Sequence, residues 1–196
     1  MPLEQYAIER PQFRERIMVH KNKRRVDIGP HVSLFFEDWL TIQYQIQEML
    51  RAERIFEPTA IEEELNAYNP LIPNGNNWKA TMMIQYTQVE QRKKALRDLV
   101  GIEHQMWVKI GNADKIYAIA DEDLERSTQD KTSAVHFLRF ELPTALRAQA
   151  KSHSPIAMGC DHPAYQYETN PILERTQIAL AEDLTLQTEV TPRKFK

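Results

Sequence analysis

The sequence predicts an α+β fold: one domain with a mixed, mostly antiparallel sheet of about six strands and flanking helices. Three observations carry this. Alternation of period two recurs in short runs, and helical spacing recurs between them. The runs follow in mixed order, without the strict strand–helix alternation of a parallel sheet. At 196 residues the chain is near the usual upper range for one domain, and it has no internal repeat or low-complexity linker. Residues 1–187 are read as the domain, and 188–196, poor in apolar side chains, as a loose tail.

In order, Pro11 fits the first turn of a helix reaching Asn22, with Phe13 and Ile17 inward. Val32, Leu34 and Phe36 alternate with Ser33 and Phe35 as a strand. Thr41 is read as the cap of a helix whose stripe is Ile42, Ile46, Met49 and Leu50. Pro58 opens a short helix carrying Ile61 and Leu65, and turns follow at Asn69-Pro70 and Pro73-Asn74-Gly75. Ala80 to Tyr86 reads as a strand. Thr87 and Glu90 have capping-box spacing before a helix that ends at Gly101. Two strand-like runs holding Trp107 and Ile116 flank Gly111-Asn112 as a hairpin. Ser133 to Leu142 is the clearest strand. Pro143 then opens a helix to Lys151, Ile156 to His162 is a strand, and Asn170-Pro171 starts a last helix through Leu173, Leu180 and Leu184.

Composition excludes several classes. A net charge of −3, from 25 basic and 28 acidic residues, supplies no global field for nucleic acid or anionic lipid. A single cysteine, Cys160, rules out an intramolecular disulfide or an all-thiolate cluster within one chain. The charged start has no signal-peptide core, and no apolar run reaches membrane-spanning length, so the expected location is the cytoplasm. No P-loop, dinucleotide fingerprint, HExxH or GxSxG occurs.

Five features are weighed as chemistry. On the strand 133–142, period two puts His136 with Leu138, Phe140 and Leu142; it is either a ligand or acid/base group, or a core histidine bonded internally. Cys160 and His162 share one face of the strand 156–162, a spacing that suits one ion or a thiolate–imidazolium pair, while a buried apolar role is the plainer reading for Cys160. Tyr44, Glu48 and Arg51 lie on one helix flank, followed by Glu53 and Arg54, and such residues hold a ligand or simply a solvated surface. The acids Asp121, Glu122, Asp123 and Glu125 lack calcium-loop spacing and are read as a helix start. The basic run Lys21 to Arg25 is read as helix-end charge or as a local contact for an acidic partner protein.

The stretch Gln43 to Gly75, with GIEHQMWVKIG, IADEDLER, DKTSAVHFLRFEL and GCDHPAY, resembles a bacterial family known as domain of unknown function 3501. His162 matches the family motif GxDHPAY, whereas Cys160 stands where the family more often has an aliphatic residue. The resemblance implies an accessory or binding protein in redox or oxidative-stress metabolism, partnered with rubrerythrin-like or iron–sulfur oxidoreductase proteins. Two further readings come from the residues. One is a mononuclear iron or zinc site of His136, His162 and Glu48, which requires the two histidine strands to be neighbours. The other is an anion or small-ligand pocket of Arg51, Arg54, Arg139 and Tyr44. Oligomeric state has no signature in the sequence.

Overall fold

The computed structural model describes residues 1–187, 194 and 195. Among the described residues, six α-helices and nine strands alternate irregularly. The helices are α1 (Leu3–Asn22), α2 (Trp39–Ala52), α3 (Pro58–Tyr68), α4 (Val89–Asp98), α5 (Thr144–Lys151) and α6 (Glu174–Glu182). The strands are β1 (Arg25–Ile28), β2 (Val32–Phe36), β3 (Asn77–Ile84), β4 (Met106–Ile110), β5 (Ile116–Tyr117), β6 (Ile119–Ala120), β7 (Val135–Glu141), β8 (Ile156–His162) and β9 (Tyr165–Thr169).

The fold is α+β, and every described strand pairing is antiparallel. The expected single sheet is two: five strands in the order β1-β2-β3-β7-β6, and four in the order β5-β4-β8-β9. Three strands went unread. The β1 run carries charge, β6 has two residues, and β9 exposes most of its side chains. Trp78, Met82 and Phe140 from the first sheet, and Val108, Ile156 and Met158 from the second, share one core. Two smaller clusters hold the helices: Tyr6, Phe13, Ile17 and Tyr44 join α1 to α2, and Ile42, Ile46, Leu50 and Ile72 underlie α3.

Local departures have physical causes. Helix α1 starts eight residues before Pro11, which lies inside it on the exposed face, where the carbonyl freed by the missing N–H meets water. Asp38, rather than Thr41, caps α2: its Oδ1 accepts from the Thr41 N–H at 2.8 Å, and Thr41 Oγ1 accepts from the Asp38 N–H at 2.9 Å. Helix α4 starts at Val89 without a side-chain cap and buries Ala95, while Val89 is half exposed. The acids at 121–125 start no helix. Most of the tail read as loose lies outside the described residues, but Phe195 stacks on Trp39 with ring centroids 4.5 Å apart. Among the described residues no helix is long and apolar enough to cross a membrane.

Candidate functional site

A cavity of about 470 Å³ opens on the outer face of the five-stranded sheet. Because side chains alternate across a strand, Trp78 and Met82 go to the core while Lys79 and Thr81 of β3 face outward. The β3–β7 register sets Lys79 opposite Arg139 and Thr81 opposite Phe137. Glu37, just past β2, closes one end. Pro70, Leu71 and Asn74 form a wall, and Glu122 and Asp123 a rim. The volume suits a small molecule, and several polar side chains converge on an apolar floor.

Most of the charges in this cavity are matched. Arg139 forms two parallel bonds to Glu122, at 2.7 and 2.8 Å, and a third to Glu141 at 2.6 Å. Arg126 grips Asp123 with two bonds at 2.5 and 2.6 Å. Two groups have no ionic partner among the described residues: Glu37 and Lys79. The Glu37 carboxylate is 4% exposed and receives the hydroxyls of Thr41 at 2.6 Å and Thr81 at 2.7 Å. Lys79 donates to the Pro70 carbonyl. Burial, and then the charge of Arg139, pushes its ammonium below the usual lysine range.

The residues expected to form one metal site stand in three separate settings. His136 is on β7 of the five-stranded sheet and His162 on β8 of the four-stranded one, so their strands are not neighbours. His162 Nε2 is 3.1 Å from the Val100 carbonyl, and its Nδ1 accepts the Ala164 N–H at 3.2 Å, which makes it an internally bonded histidine. Glu48 accepts from Tyr6 at 2.6 Å and from two nitrogens of Arg10 at 2.7 Å. Cys160 is buried, and burial pushes its thiol up to about 11.

The arginines expected together are also apart. Arg51 and Arg54 sit at the exposed end of α2, and Tyr44 packs on Phe13. Arg139 alone of this set lines the cavity. Sequence spacing gave no hint of Glu37 or Lys79, because the elements that bring them together meet only through β2–β3 pairing. The basic run also has an internal use at Arg24, which is buried and bonded to the Phe36 and Glu37 carbonyls and to Asp183.

His136 itself is wholly buried among oxygens. Its Nδ1 is 2.6 Å from Asp121 Oδ2. Its Nε2 faces Thr132 Oγ1 at 2.7 Å, the Ser133 carbonyl at 3.1 Å and Glu103 Oε2 at 4.0 Å. Glu103 also accepts the Ser127 hydroxyl at 2.5 Å.

Fold and cavity together define a two-sheet α+β protein with a small-molecule-sized polar site. The chain belongs to the DUF3501 family of proteins of unknown function, whose model matches residues 1–184. It is similar to a crystal structure described as a novel protein of unknown function from Burkholderia pseudomallei K96243. That likeness has 49% identity and a TM-score of 0.90, over 94% of this chain and 96% of the other. No curated protein matches the chain.

Proposed function

We propose that the protein is a binding module for a small zwitterion of the amino-acid class, held in the Glu37–Lys79 cavity. The observation that carries this is the pair itself: one cavity contains a buried carboxylate and a half-buried ammonium, neither with an ionic partner among the described residues. Buried charges are costly unless paired, so a ligand with an ammonium for Glu37 and a carboxylate for Lys79 supplies what the chain leaves open. Asn74 and Asn77 add amide groups to the lining. Arg139 orders the site through Glu122 and Glu141 and does not hold the ligand directly.

This is an accessory role. A place beside rubrerythrin-like or iron–sulfur proteins stays part of the proposal as a binding partnership, because the chain's one thiol is poorly suited to exchange. Thermal-shift screening tests the reading. Free α-amino acids should raise the melting temperature, since a ligand that binds only the folded state stabilises it by mass action. Matched amines and acids that lack one of the two groups should not. Equal shifts from singly charged analogues would remove the zwitterion from the account.

A further inference from the structure

We propose that His136, Glu103, Thr132 and the Ser133 carbonyl form a site for one divalent first-row transition-metal ion, with Asp121 orienting the imidazole. The site is separate from the cavity, on the opposite face of β7: His136 points into the core, and Phe137 and Arg139 line the cavity. Glu103, Asp121 and His136 each offer a ligand atom, and these atoms lie within 4.8 Å of one another. His136 Nε2 and Glu103 Oε2 are 4.0 Å apart, so an ion between them lies about 2.0–2.2 Å from both, the length of bonds to such ligands.

The second observation is the crowding of oxygens around Nε2. Three oxygens from three different residues converge on this one ring nitrogen, at 2.7, 3.1 and 4.0 Å. A single N–H serves one of them well, while the hydroxyl protons of Thr132 and Ser127 go to the two oxygens of Glu103. A cation in place of that proton serves all three oxygens at once. The Asp121 bond to Nδ1 is the carboxylate–histidine arrangement that fixes the tautomer of a metal-bound imidazole and leaves Nε2 as the donor. The imidazole nitrogen suits zinc or iron(II), and the carboxylate, hydroxyl and carbonyl oxygens suit manganese(II) as well. The burial of His136 and Glu103, at 0% and 3% exposure, makes the ion a clamp between the 102–104 turn, the 127–133 loop and β7.

The test is titration of chelator-treated wild-type protein with Mn²⁺, read by the NMR signals of the histidine rings. The proposal expects the His136 ring protons to broaden at about one equivalent, the stoichiometry of a single site, while His162 is unaffected. Glu103→Gln should weaken Mn²⁺ binding by about tenfold or more, the lower end of what losing a ligand or its support costs. His136 signals that stay sharp through an excess of Mn²⁺ would overturn the proposal in the wild type alone, whether or not the variant folds. Binding that Glu103→Gln leaves unchanged would overturn it as well.

Discussion

Lys79 and Arg139 stand directly opposite one another across β3 and β7, yet only Arg139 is neutralised. Like charges in register repel, and the arrangement persists because Glu122 and Glu141 enclose the guanidinium. The cost falls on Lys79, whose ammonium is disfavoured by burial and then by Arg139.

Replacing Arg139 with Met should therefore raise the titration point of Lys79. The change removes a neighbouring cation and leaves Glu122 and Glu141, both of which favour the ammonium, without their arginine. The pH dependence of Lys79 acylation, followed by peptide mass spectrometry, reads this directly. Stability should change by no more than about 1 kcal/mol, because these pairs are partly solvated. A downward movement of the Lys79 titration would contradict the assignment.

Asp183 gives a pH signature of opposite sign to that of an ordinary salt-bridged acid. Burial outweighs Arg24 and pushes its carboxyl up to about 6. With the folded value above the unfolded one, about 3.9, the folded state holds the proton more tightly. This group's contribution is complete below about pH 4 and lost as pH rises through about 6. Asp183→Asn should raise stability at pH 7 by up to about 2–3 kcal/mol and flatten the pH 4–6 window, as seen in urea melts at several pH values. A destabilised variant at pH 7 would show that the Arg24 pair outweighs burial.

Glu48 behaves in the ordinary direction. The two Arg10 bonds, chief among its influences, hold its carboxyl down at about 2. Its contribution is present above the unfolded value of about 4.3 and is lost as pH falls toward 2. Glu48→Gln should cost about 1 kcal/mol at neutral pH, after allowance for partial exposure, and should leave metal content unchanged. Loss of a bound ion in this variant would restore Glu48 as a ligand.

All six helices and the longer strands are legible in the sequence, because period and turn residues are local signals. Thr41 shows the limit of that reading. Its place near the helix start is visible, but its partner Asp38 and its bond to Glu37 depend on how β2 delivers the chain into α2. The placement of His136 on a buried face was legible from alternation alone. Its oxygen partners were not, since Glu103 and Asp121 lie 33 and 15 positions upstream in the chain. Glu37 carried no signal, because a carboxylate's burial is a tertiary fact.

The most direct test of the central claim is calorimetric titration of wild type and Glu37→Gln with the α-amino acid giving the largest thermal shift. Wild type should bind with a Kd tighter than about 1 mM, weakened about 10–100-fold in the variant, the usual range for one charge-assisted hydrogen bond. Melting temperatures of the two free proteins should agree within a few degrees. Equal affinity for both proteins, or no binding by any zwitterion, would contradict it.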